Sequence, residues 1–204
     1  MIVLSHRGFW HVPAEKNSVS AFADSFSHGW GIETDLRDRG QSLIVSHDPP
    51  AGHVPSFAEL LAMPRPKGLP FALNVKADGI ARSIAKGLDA SDAADDAFVF
   101  DMSVPEMRSY FAAGIPVFAR MSEVEREPPW LDRAAGVWLD GFEGTWYDQD
   151  TISRLLDAGK RVCVVSPELH DRAYYATWEL LRKVENPGLM LCTDRPDAAE
   201  DYFS

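Results

Sequence analysis

Eight short apolar runs recur along the chain, at residues 2–4, 31–36, 71–75, 97–100, 116–119, 136–139, 162–165 and 189–192, each followed by a polar turn and a stretch with helical spacing. Parallel strands need long crossovers, usually helical, so this alternation is the signature of a parallel α/β protein. Eight repeats make a TIM-like (β/α)8 barrel the economical fold, with a doubly wound open sheet as the competing arrangement. In the first crossover Val19, Phe22, Ala23 and Phe26 fall at i, i+3, i+4 and i+7, with Ser18 placed to cap the helix and Gly29 to end it. Further helices are expected over residues 56–63, 79–88, 104–113, 148–158, 171–184 and 196–203, with a poorer pattern over 130–135. Gly87, Gly114 and Gly159 read as helix ends, and the extra run 42–46 as an extension or hairpin partner of the second strand. No Ser/Gly linker or low-complexity block interrupts the 204 residues, so one domain spanning 1–204 is expected.

Composition narrows the classes of partner. With 46% hydrophobic and 25% charged residues the chain is an ordinary globular one, not a disordered one. Lys and Arg total 20 against 31 Asp and Glu, a formal net charge of −11 with no basic run, which argues against nucleic acid and anionic membranes. A chain so charged that handles an anionic substrate needs a local positive centre, supplied by Arg and Lys in a cleft or by a bound cation. No stretch reaches the roughly 18 to 20 apolar residues of a membrane span, and the opening MIVLSHRG has no basic leader, so a cytoplasmic location is expected. Cys163 and Cys192 sit in apolar runs without metal-ligand spacing and read as buried thiols.

In a barrel the chemistry sits at the carboxyl ends of the strands. Glu33 and Asp35 are one residue apart on the second expected strand, so its period of two sends both carboxylates to one face. Such a pair is costly unless it faces water on an edge strand or holds a cation between its members. His6 ends the first run and His47 the run after the second, which places a proton carrier on either side of the acids. Arg7 offers a fork suited to phosphate oxygens, or to an ion pair with a carboxylate on a neighbouring strand. Asn74 and Lys76 share one face of the third run.

His6-Arg7-Gly8, Asn17-Ser18 opening a helix with Ala21-Phe22, Gly31-Ile32-Glu33-Thr34-Asp35 and His47-Asp48 together resemble the HR…ExD…HD signature of the glycerophosphodiester phosphodiesterase family. Asn74-Val75-Lys76 falls where that family usually reads Glu-x-Lys, and Thr193-Asp194-Arg195-Pro196 is similar to its closing T-D-x-P. Between residues 79 and 189 only the rhythm of strands and helices matches. The resemblance implies a TIM-like barrel that cleaves a small-molecule phosphodiester with a divalent cation, Mg²⁺ or Ca²⁺, which suit oxygen ligands. It implies Glu33 and Asp35 as metal ligands, His6 and His47 as general acid and base, and Arg7 and Lys76 as holders of phosphate oxygens.

Two departures stand out. Asn74 replaces the family's third acidic ligand, offering a carbonyl oxygen without charge, and Glu168 or Asp140 could compensate. Residues 48–57 are too few for the family's capping insertion, so a more open mouth is expected. The nucleophile is water, or a substrate hydroxyl that closes a cyclic phosphate as in related phospholipase C-like barrels. A silent phospho-ligand binder is the remaining alternative, and two retained histidines argue against it. Trp10, Trp138, Phe142, Trp146 and Tyr147 lie in loops expected at the mouth and serve as a platform for the substrate or as packing of the rim. His11, His28, His53 and His170 receive no role.

Overall fold

The computed structural model describes residues 1–204. The chain runs β1 (Ile2–His6), α1 (Val19–Ser27), β2 (Gly31–Arg39), β3 (Ser42–Val45), α2 (Phe57–Leu61), β4 (Phe71–Val75), α3 (Ala81–Asp89), β5 (Ala97–Phe100) and α4 (Met107–Ala112). It continues through β6 (Phe118–Met121), β7 (Gly136–Leu139), α5 (Gln149–Asp157), β8 (Arg161–Val165), α6 (Tyr175–Leu181), β9 (Leu189–Thr193) and α7 (Pro196–Phe203), with 3-10 turns at Pro13–Glu15 and Pro167–His170.

Two compact units make up the chain, residues 5–117 and residues 118–204 with 1–4. In the first, the strand order is β5-β4-β2-β1, parallel from β2 through β4 to β5, and β3 folds back antiparallel on β2 as the hairpin partner. Beyond β5 a parallel bridge joins Val99 to Val117. In the second, β6, β7, β8 and β9 pair in parallel and β1 follows β9. Eight strands in this order, linked by crossovers, belong to the TIM-like (β/α)8 class that the sequence predicts. No helix is long and apolar enough to cross a membrane.

β4, β5, β7 and β9 are buried along their whole length, as parallel strands covered on both faces must be. Phe71, Leu73, Phe98, Val99 and Phe100 are typical occupants. Against that background Glu33, Thr34, Asp35 and Asn74 are exceptions, polar groups buried inside apolar strands. Each needs a partner or a function.

Local expectations met the fold with informative differences. Ser18 caps α1 by accepting a hydrogen bond from the Ala21 amide, as the spacing predicts. The buried face, however, is Ala21, Phe22, Ser25 and Phe26, while Val19 is exposed. Ser25 can be buried because its hydroxyl is fully used: it donates to the Ala21 carbonyl, accepts from the Phe9 amide and pairs with the Ser5 hydroxyl. Residues 130–135 form a turn instead of a helix, since Trp130 follows two prolines and takes a left-handed φ of 55°, from which a right-handed helix does not propagate. Gly114 and Gly159 have positive φ at helix ends. Gly87 does not end its helix: it lies inside α3, where a Cβ would come within 2.8 Å of the Phe57 ring, so its smallness lets α2 and α3 pack. The helix expected over 171–184 shortens to α6 because Asp171, at φ 55°, closes the 3-10 turn before it.

Candidate active site

The period of β2 carries Glu33 and Asp35 to one face, and the parallel register with β4 sets Asn74 directly opposite Asp35. Lys76, two residues further, shares that face. Asn74 Nδ2 donates to Glu33 Oε1 at 3.2 Å, and Lys76 Nζ lies 3.5 Å from Asp35 Oδ1 and 3.7 Å from Asp101 Oδ2. Asp101 leaves β5 with a φ of 67°, which turns the chain out of the strand beside the lysine.

From β1, His6 Nε2 sits 3.8 Å from Glu33 Oε2. Arg7, at φ 59°, donates its backbone N–H to the Glu33 carbonyl and sets its Nε 2.9 Å from Asp35 Oδ2. That left-handed turn continues through Gly8, where a Cβ would stand 2.8 Å from the Ala21 backbone. Only glycine lets the His6-Arg7-Gly8 segment approach α1 so closely. The ion-pair reading of Arg7 is thus the arrangement present, and the guanidinium meets the acid that the resemblance makes a ligand.

His47 reaches the cluster through the backbone of β3. The Ser46 amide donates to the Asp35 carbonyl at 3.0 Å and Arg37 donates to the His47 carbonyl at 2.7 Å, while the His47 ring, 44% exposed, pairs its Nδ1 with Asp48 at 3.0 Å. His6, Arg7, Glu33, Asp35, Asn74 and Lys76 therefore form one connected network, with His47 tied to the end of β2 beside it.

Asn17 is the member that sequence reasoning gave no role. Its amide accepts from Thr34 Oγ1 and donates to Asp35 Oδ2, both at 2.8 Å. An Asn before a helix cap looks like turn chemistry, and its period-free position in a loop hides which strand it touches.

Electrostatics follow from burial. Glu33, Asp35 and Asn74 are 1%, 0% and 8% exposed. Desolvation, with the Asp35 charge second, pushes the Glu33 carboxyl up to about 7 against the pull of His6, Arg7 and Lys76. Glu33 Oε2, Asp35 Oδ1 and Asn74 Oδ1 are all buried without a hydrogen-bond donor. The remaining buried side-chain atoms lacking a hydrogen bond are N–H groups and hydroxyls, so these three are the molecule's only acceptor-only oxygens left in that state. No three His, Cys, Asp or Glu gather to hold a metal ion. The set is two carboxylates and an amide oxygen, a donor set that fits a hard divalent cation.

Residues 118–204 hold a second polar set. His170 Nε2 is 2.7 Å from Asp140 Oδ1, which also accepts from the Gly141 amide at 2.7 Å. Hydrogen bonding to Asp140 raises the His170 pKa. Glu168 accepts from the Ser166 and Thr193 hydroxyls and from the Asp194 amide. His170 thus has a defined partner that the sequence did not reveal. Among the loop aromatics, Trp138 and Tyr147 are buried packing residues, Trp10 donates to the His6 carbonyl, and Phe142 is exposed beside the His170 ring.

No protein-family model matches the chain, and no curated protein sequence matches it. Solved structures do. A protein of Galdieria sulphuraria assigned as a glycerophosphodiester phosphodiesterase superposes with a TM-score of 0.78 at 16% identity, over 99% of this chain and 97% of that one. A glycerophosphodiester phosphodiesterase of Agrobacterium tumefaciens gives 0.73 at 18% identity, over 99% and 98%. A Ca²⁺-dependent phosphatidylinositol-specific phospholipase C of Streptomyces antibioticus gives 0.55 at 14% identity, over 100% and 96%. The chain shares their fold over its whole length.

Proposed function

We propose that this protein is a metal-dependent phosphodiesterase acting on a glycerophosphodiester or a related small phosphodiester. One observation carries the reading: three buried acceptor oxygens, from Glu33, Asp35 and Asn74, have no donor, in a network that also contains two cationic side chains and an imidazole. Leaving such oxygens unsatisfied costs free energy in any fold that has no use for them. The likeness in fold to glycerophosphodiester phosphodiesterases points the same way.

Glu33, Asp35 and Asn74 would hold a Mg²⁺ or Ca²⁺ ion. When bound, such an ion polarises a phosphoryl oxygen and offsets its developing charge. Arg7 and Lys76, now leaning on Asp35, supply the fixed positive charge that draws a phosphodiester to a chain of net charge −11. His6 and His47 carry the protons, one taking a proton from the nucleophile and the other giving one to the departing alkoxide.

The fold likeness to a phosphatidylinositol-specific phospholipase C favours a second reading, in which a substrate hydroxyl attacks and the product is a cyclic phosphate. EDTA-stripped protein resupplied with Mg²⁺, Ca²⁺ or Mn²⁺ and given glycerophosphodiesters, followed by phosphorus NMR, tests both. A phosphomonoester supports hydrolysis and a cyclic phosphate supports the lyase. No turnover of any phosphodiester with any of these ions overturns both in favour of a binding module.

A further inference from the structure

Asp35 presents its two oxygens to different surroundings. Oδ2 receives Asn17 Nδ2 at 2.8 Å and faces Arg7 Nε at 2.9 Å, whereas Oδ1 has no hydrogen-bond donor and sees only the Lys76 ammonium at 3.5 Å. A carboxylate whose oxygens were equally free would rotate about its terminal torsion, which is broad and nearly two-fold. Here something holds it.

We infer that Asn17 is a positioning residue that locks the Asp35 carboxylate so that Oδ1 is the oxygen offered to the divalent cation. Asn17 is itself fixed at three points. Its backbone N–H donates to the Arg7 carbonyl at 2.9 Å, its Oδ1 accepts from the Thr34 hydroxyl at 2.8 Å, and its side chain is almost fully enclosed, with 8% of the residue exposed. The amide orientation is decided by its neighbours: flipping it would set Oδ1 against Asp35 Oδ2, acceptor against acceptor. Its left-handed φ of 60° costs an L-residue conformational energy, which asparagine bears better than most. Arg7 and Asn17, the two groups on Oδ2, both adopt that conformation, so the backbone is bent twice to hold one oxygen. Partners of this kind fix ligand orientation, and losing one costs about 10- to 100-fold in metal affinity.

The inference rests on the cation reading above, and its test separates the two. Asn17→Gly keeps the left-handed backbone relaxed and removes only the amide. Titrating EDTA-stripped protein with Mn²⁺ alone in a calorimeter should show its dissociation constant weakened about tenfold, with a melting temperature within a few degrees of wild type. Thr34→Val, which frees the amide to turn, should weaken Mn²⁺ binding less, about threefold, and should add nothing in the Asn17→Gly background because it acts through Asn17. A dissociation constant within twofold of wild type in folded Asn17→Gly, or an additive effect of Thr34→Val, overturns the inference and leaves the phosphodiesterase reading standing. If Asn17→Gly does not fold, an unchanged constant in Thr34→Val overturns it alone. Wild-type protein that neither binds Mn²⁺ nor cleaves a phosphodiester overturns both.

Discussion

Residues 5–117 and 118–204 each set a half-buried histidine beside carboxylates, but they complete the arrangement differently. In the second unit the His170–Asp140 contact is closed at 2.7 Å, and Glu168 has three of its roughly four lone-pair sites occupied by the Ser166 and Thr193 hydroxyls and the Asp194 amide. In the first, His6 stands 3.8 Å from Glu33, and three acceptor oxygens are left without a donor. A closed set has spent its hydrogen-bonding capacity on the fold. An open one keeps acceptor capacity that a ligand can use, and folding carries the cost of keeping it. On the proposed reading residues 5–117 carry the chemistry, and the polar residues of 118–204 hold loops in place.

The hardest test of that contrast is a comparison of histidines. His6→Ala and His47→Ala should each lower kcat on a phosphodiester by about 10²- to 10⁴-fold with the fold intact, as loss of a proton carrier does. His170→Ala should stay within about threefold of wild type and lose thermal stability instead. A hundredfold loss of kcat on replacing His170 would erase the distinction.

Asn74 offers the next largest effect. Glu at this position would add a charge where the Asn74 amide now donates to Glu33. Asn74→Glu should tighten Mg²⁺ or Mn²⁺ binding at least tenfold and lower the melting temperature of EDTA-stripped protein, because three buried carboxylates would then repel without an ion between them. Unchanged binding without the apo penalty would mean that the new carboxylate points away from Glu33 and Asp35.

The pH dependence of stability should report the same open site. Glu33 has its folded pKa raised from 4.5 to about 7, so between those values the folded state binds more protons than the unfolded one. Stability therefore falls as pH rises through this window, by up to about 3 kcal/mol at about 1.4 kcal/mol per unit. Since His170 also titrates with a raised pKa, the relevant quantity is the difference between wild type and Glu33→Gln. EDTA-stripped wild type should lose about 5–10 °C relative to Glu33→Gln between pH 5 and pH 7.5, and a saturating divalent cation should remove the loss. Parallel melting curves for the two proteins would show that Glu33 is solvated.

What the sequence disclosed and what it hid divide along similar lines. Glu33 and Asp35 were legible because a strand's period is fixed and two acids in an apolar run have few explanations. Register then delivered Asn74 and Lys76, which a third strand of the same kind had to bring alongside. Asn17 was not legible as a partner of Asp35, since its position depends on the left-handed bends at residues 7 and 17 and on α1 packing under Gly8. The His170–Asp140 pair spans 30 residues and depends on a 3-10 turn over Pro167–His170 where the helical pattern had suggested only a loop before α6. The inward face of α1 was misread because a serine with every hydrogen bond made can be buried as readily as a valine.

Glu168 gives the finest discrimination, because sequence reasoning made it a candidate to replace the charge missing at Asn74. Its Oε1 takes the Thr193 hydroxyl and the Asp194 amide, and its Oε2 takes the Ser166 hydroxyl, which in turn accepts from the Trp178 indole at 2.8 Å. A carboxylate so engaged has about one lone-pair site left and is held in its present orientation by three donors, so it is a poorer candidate for an ion than Glu33 or Asp35. Glu168→Gln keeps the shape and forces one of its acceptors to become a donor facing another donor. The expected result is a melting temperature lower by about 2–4 °C, as for a loss near 1 kcal/mol in a chain of this size, with the Mn²⁺ dissociation constant within twofold of wild type. A weakening of tenfold would instead put Glu168 among the ligands and make 118–204 a contributor to the chemistry.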